Sequence, residues 1–96
     1  MDIGLNSIPE IRNNVTTRLL GGEAFIMNLE TRTTVALNET GTFIWSRING
    51  SRAVAMIFED VIAEYDVSLE EAESSTIELI EQLANENLLI ITTPNE

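Results

Sequence analysis

Ninety-six residues, 44% of them hydrophobic, suffice for one domain with a buried core and argue against a disordered chain. The chain has no cysteine and no histidine, which excludes disulfides, thiolate nucleophiles and cysteine-ligated metal centres, and removes the usual general base and commonest metal ligand near neutral pH. The formal net charge of −11 is one-sided: residues 1–52 balance five acids against five arginines, whereas residues 53–96 carry eleven acids and no base. Such a surface repels phosphate backbones and favours basic partners, so nucleic acid is not an expected ligand. No basic-then-apolar signal opens the chain and no apolar run approaches the ~18 residues a membrane span needs, so the expected location is cytoplasmic, with no membrane partner.

Residues 1–14, with Asn6, Ser7, Pro9, Asn13 and Asn14 among scattered apolar positions, read as a flexible or loosely docked N-terminal arm preceding a folded domain of residues 15–93. From Val15 the period is two. Val15, Thr17 and Leu19 alternate with Thr16 and Arg18, Gly21-Gly22 supplies a turn, and Ala24 to Leu29 makes a second strand with Phe25, Met27 and Leu29 on one face. Thr33, Val35 and Leu37 share a face of a third strand, which completes an antiparallel meander.

At Asn38, a good N-cap, the period becomes helical: Gly41, Ile44, Trp45 and Ile48 form one face, and Asn49-Gly50 is expected to end the helix. Gly41 on that face costs roughly 1 kcal/mol of helix propensity against alanine, for which close approach of another backbone would compensate. A second helix carries the stripe Val54, Ile57, Phe58, Val61, Ile62 and Tyr65. A third opens on the capping box Ser68-Leu69-Glu70-Glu71 and buries Leu69, Ala72, Thr76, Ile77, Ile80, Leu83, Ala84 and Leu88, leaving Leu79 about 100° to one side. The β-branched run Leu89 to Thr93 fits a last short strand or an extended end. The expected fold is α+β, a three-stranded antiparallel meander followed by three helices. Its core should include Phe25, Leu37, Ile44, Trp45, Ile57, Phe58, Val61, Ile80 and Leu83.

Little in this pattern points to catalysis. Gly21-Gly22 precedes a strand rather than a helix and is no phosphate loop. Glu70, Glu71 and Glu73 match no calcium loop and read as a solvated helix start, so neither metal nor cofactor is expected. Ser68, two residues after Asp66, is superficially like the serine of acyl and peptidyl carrier proteins. Val67 interrupts that motif, carriers are all-helical, and capping already accounts for the serine. An acidic last helix likewise disqualifies a winged-helix DNA reader, although the architecture is similar. No catalytic residue is assigned.

The run Val35-Ala36-Leu37-Asn38-Glu39-Thr40-Gly41-Thr42-Phe43-Ile44-Trp45 resembles the signature of the coenzyme PQQ synthesis protein D (PqqD) family. The resemblance continues through Ile48-Asn49-Gly50, Val54, Ile57 and Glu64-Tyr65-Asp66-Val67 to the closing helix ending Leu83-Ala84-Asn85-Glu86-Asn87-Leu88-Leu89, covering roughly residues 15–90. It implies a winged-helix-like RiPP recognition element, a non-enzymatic adaptor. Such an adaptor binds the leader of a ribosomal precursor peptide and presents it to a modifying enzyme, often a radical SAM protein. The leader would add as a strand beside Thr33, Thr34, Val35, Ala36 and Leu37. A groove wall from the last helix would use Ser75, Thr76, Leu79 and Leu83. Arg32, where the family often has glycine, leaves the turn type open, and Ala53, where a threonine usually caps, forfeits about 1 kcal/mol unless Ser51 substitutes. Glu30-Thr31-Arg32 replaces the Pro-Glu-Gly segment of PQQ-pathway members and Asn49-Gly50 their Asp-Gly turn, which favours another peptide pathway. The alternatives are an oligomerising (homodimeric) or regulatory domain without a peptide client, or a carrier protein using Ser68.

Overall fold

Two tight turns set up the sheet, and each has a local cause. In the computed structural model, which describes residues 3–94, Gly21 and Gly22 both take positive φ (60° and 82°) between strands β2 (Val15–Leu20) and β3 (Glu23–Asn28). That is the primed turn whose twist matches a hairpin, and a side chain at either position would strain it. The next turn, into β4 (Thr34–Leu37), is built by Asn28. Its Oδ1 accepts from the amides of Glu30 (2.9 Å) and Thr31 (3.0 Å), its carbonyl accepts from Arg32 and its amide donates to the Thr33 carbonyl. Arg32 is held at φ 67°, a conformation that costs a non-glycine residue roughly 1 kcal/mol. This settles the turn that the sequence left open: arginine occupies the left-handed position.

The strand order is β2-β3-β4, antiparallel throughout, with Ala24 opposite Leu37 and Ile26 opposite both Val35 and Thr17. Alternation places Val15, Thr17, Ala24, Ile26, Asn28, Val35 and Leu37 on the helix-covered face. Phe25 belongs to the other face with Met27 and Arg18 and is only half-buried, so its assignment to the core does not hold. The remaining expected core residues, Leu37, Ile44, Trp45, Ile57, Phe58, Val61, Ile80 and Leu83, are all buried.

Helix α1 (Glu39–Ser46) starts where expected, the Asn38 side chain accepting from the Gly41 amide at 2.9 Å. It ends earlier than expected, at Arg47. Asn49 instead forms a turn of its own, its Oδ1 accepting from the Ser51 and Arg52 amides. Trp45 donates its indole N–H to Thr17 Oγ1 (3.1 Å), tying α1 to β2. Helix α3 (Leu69–Asn85) is capped by Ser68, which accepts from the Glu71 amide. It closes on a left-handed Asn87: the Leu88 amide reaches the Leu83 carbonyl and the Asn87 amide that of Ala84, while Leu83 and Leu88 are both fully buried. Leu69, expected on the core stripe, sits in the first turn beyond the packed surface and is 61% exposed.

Among the described residues the expected N-terminal arm contains a strand. Ile8–Ile11 forms β1, paired antiparallel with β5 (Leu89–Thr92) as a separate two-stranded sheet, and Ser7 and Pro9 are buried. This segment also does what Ala53 cannot. Helix α2 (Val54–Glu64) has no side-chain cap, but its first amides donate to backbone carbonyls upstream, Val54 to Ser7 (2.9 Å) and Ala55 to Leu5 (3.0 Å). Ser51 does not substitute; the N-terminal segment does. Among the described residues no helix is long and apolar enough to cross a membrane.

Candidate functional site

β4 is the last strand of its sheet, so one of its edges has no strand partner among the described residues. The free groups follow from the ladder. The Asn28 amide donates to the Thr33 carbonyl, and pairing repeats every second residue, so Val35 and Leu37 turn towards β3 while Thr34 and Ala36 present N–H and C=O outward. At its far end the strand is fastened by Thr42 of α1, whose hydroxyl accepts from the Ala24 amide (2.9 Å) and donates to the Leu37 carbonyl (3.3 Å). The edge is therefore both open and rigidly held.

Where β4 runs into α1, a cavity of about 360 Å³ lies between α1 and α3, lined by Asn38, Thr40, Gly41, Ile44, Ser75, Glu78, Leu79 and Gln82. Gly41 gives it its depth. A Cβ there would meet Asn38 Oδ1 and Leu37 Cβ at 3.3 Å and Leu79 Cδ2 at 3.5 Å, so the close approach that justifies this helical glycine is by side chains, not by another backbone. Thr40 and Ser75 also line a second, more enclosed cavity of about 180 Å³ with Val61, Tyr65, Val67, Glu71 and Ala72. The two adjoin at Thr40 and Ser75, which line both, as a groove between α1 and α3. Phe43 packs edge-on to Tyr65 with centroids 5.5 Å apart, and the Arg47 guanidinium lies 5.0 Å from the Phe43 ring. Partial desolvation, then the charges of Glu39 and Glu64, push the Tyr65 phenol above its ordinary pKa.

Of the residues expected at the site, Thr34–Leu37 form the open-edged strand and Thr33 lies immediately before it, with its carbonyl committed to Asn28. Ser75 and Leu79 reach the cavity, and Leu79 is half-buried, packed partly on the core. Thr76 and Leu83 do not reach it: both are fully buried, on the core side of α3. A helix turns about 100° per residue, so Thr76 is turned away from Ser75 into the core, while Glu78 and Gln82, three residues on from Ser75 and Leu79, line the cavity with them. That spacing was the available signal for the two residues sequence reasoning missed. Ser68 lies on the other side of Ser75, acting as the cap of α3, which leaves the carrier-protein alternative without a free serine motif or an all-helical fold.

The family model for coenzyme PQQ synthesis protein D (PqqD) matches residues 23–89, from β3 to the start of β5. The chain belongs to the PqqD family. No curated protein matches this PqqD-family chain. Two solved structures share its fold. One, described as "TbiB1 in Complex with the TbiA(beta) Leader Peptide", is 28% identical over 83% of this chain and 93% of that one, with a TM-score of 0.76. The other, "Lasso peptide synthetase B1 complexed with the leader peptide", is 17% identical over 85% and 96%, also with a TM-score of 0.76. The PqqD-family fold is thus the α+β arrangement expected, a three-stranded antiparallel sheet followed by three helices, extended by the β1–β5 sheet.

Proposed function

We propose that this protein is a non-enzymatic adaptor that binds the leader of a ribosomally made precursor peptide and presents it to a peptide-modifying enzyme. The observation that carries this reading is the conjunction of a rigid, open β4 edge with a groove running from its end along α3, in a chain of the PqqD family. Support comes also from two proteins of the same fold described as leader-peptide complexes, one of them 28% identical. An extended peptide laid on Thr34–Leu37 would exchange main-chain hydrogen bonds with Thr34 and Ala36 and place alternate side chains towards Leu79 and Ser75. Main-chain bonds give affinity, and the groove gives choice. The departures at Glu30-Thr31-Arg32 and Asn49-Gly50 favour a pathway other than PQQ synthesis. The modifying enzyme, of the radical SAM or another class, belongs to this same proposal, as does cytoplasmic location.

The test adds a cognate leader to labelled protein. Amide shifts should gather on residues 33–37 and on the Ser75, Leu79 and Gln82 face of α3. Leu79→Glu should weaken binding at least tenfold while leaving the unfolding midpoint within about 1 kcal/mol of wild type, since Leu79 is only half-buried. Shifts confined to α2 or to residues 3–14 would exclude the groove.

A further inference from the structure

The groove has a charge that no ion pair among the described residues answers. Glu78 lines the cavity at the end of β4, Glu71 lines the adjoining one, and no arginine lines either. Among the described residues the ion pairs are those of Arg47 and Arg52 with Asp60 on α2, and neither involves the groove. No base follows Arg52 in the sequence, so α3 has no cation of its own to neutralise its carboxylates. The first cavity combines this carboxylate with the hydroxyls of Thr40 and Ser75 and the amide of Gln82, over a floor of Gly41, Ile44 and Leu79. Ile44 is buried, while Glu78, Ser75 and Gln82 are exposed at the rim. A long side chain with an aliphatic stem and a charged head matches that layering, its stem on Leu79 and Gly41 and its head among acceptors at the mouth.

We propose that the groove selects leaders carrying a lysine or arginine, whose charged head is held by Glu78 in the cavity where β4 meets α1. The proposal rests on the leader-binding reading and deepens it by naming the chemistry of the residue that is read. Main-chain pairing to Thr34 and Ala36 brings any extended segment to the edge and is indifferent to sequence. The cavity is where discrimination enters: a leader with an acidic residue at that place meets Glu78 head on, and one with a small residue leaves the space unfilled. Glu71 at the neighbouring cavity reinforces the preference without being the contact. That cavity, lined by Val61, Val67 and Ala72, suits an apolar side chain.

The probe is a displayed library of short linear peptides panned on the full chain, on Glu78→Gln, and on Glu59→Gln as a control acid on α2. Peptides enriched on the wild type should carry Lys or Arg at one fixed place, next to an apolar residue. Their affinity should fall about fivefold at low salt on Glu78→Gln, the range of a partly exposed ion pair. The fixed cation should vanish from pools selected on that variant, and Glu59→Gln should change neither. Enriched peptides that lack a cation yet shift the amides of Thr34–Leu37 would overturn this proposal and leave leader binding standing. So would a fixed cation kept undiminished on Glu78→Gln. Failure to enrich any peptide that shifts those amides would sink both readings.

Discussion

At the residue scale, Asn28 does more than its place at a strand end suggests. It is 2% exposed, shapes the β3–β4 turn through its Oδ1, receives a bond from Asn14 Nδ2 (3.3 Å), and donates its own Nδ2 to the Asn87 carbonyl (2.8 Å) at the end of α3. One amide thus joins both hairpins to the helix cap. Replacing it with alanine removes several bonds at once and leaves the Asn87 carbonyl without its partner. Asn28→Ala should therefore cost about 2–3 kcal/mol, read as a lowered urea midpoint at unchanged slope. A loss under about 0.5 kcal/mol would mean that water replaces the network freely. Thr76 is the opposite case: its buried Oγ1 has no hydrogen-bond partner, so it sits in the core as a shape rather than as a polar group.

At the element scale, helix α2 is the piece whose end is finished by distant chain. Ala53 offers no capping oxygen, and the carbonyls of Leu5 and Ser7 take the amides of Ala55 and Val54. Ser7 is positioned for this by accepting from the Gly4 amide (3.0 Å). Deleting residues 1–7 should strip α2 of two backbone bonds and cost about 2 kcal/mol. Exchange of the Val54 and Ala55 amides should quicken well before that of the α3 core. Protection at Val54 and Ala55 unchanged by the deletion would mean that another group, or water, caps the helix. Restoring a side-chain cap with Ala53→Thr should recover about 1 kcal/mol in the shortened chain.

At the scale of the whole molecule, the charge is divided by sequence half and therefore by structural layer. The sheet belongs to the balanced half, and α2 and α3 carry acids with no base of their own. The pairs of Arg47 and Arg52 with Asp60 are the ion pairs joining the two halves among the described residues. With no base on α2 or α3, added salt is expected to screen repulsion among their carboxylates more than attraction across the layers. Raising salt from low to about physiological strength, where the Debye length is ~8 Å, should stabilise the protein by on the order of 1 kcal/mol. A fall in Tm with added salt would show that the pairs to Asp60 dominate.

The order of the elements from β2 to α3, the starts of α1 and α3, and the faces of Ile44, Trp45, Ile57, Phe58, Val61 and Ile80 were legible in the chain. Each depends on residues within four positions of one another, where period and capping act. So was the open-edged strand with Leu79 beside it, once the resemblance to the PqqD family was on the page. What tertiary structure decided involves partners far apart in sequence. Both faces of β3 carry apolar side chains, and local alternation cannot say which is covered. Register decides it, because Leu37 stands opposite Ala24 and so draws Ala24 and Ile26 under the helices, while Phe25 stands opposite Ala36 and Arg18 outside. The same holds for the first residues, whose strand exists because β5, some eighty residues away, supplies its ladder, and whose carbonyls find α2 only in the folded chain. On α3, Leu79 and Leu83 stand four residues and only about 40° apart, a difference that sequence spacing blurs, yet packing buries Leu83 fully in the core while Leu79 lines the cavity.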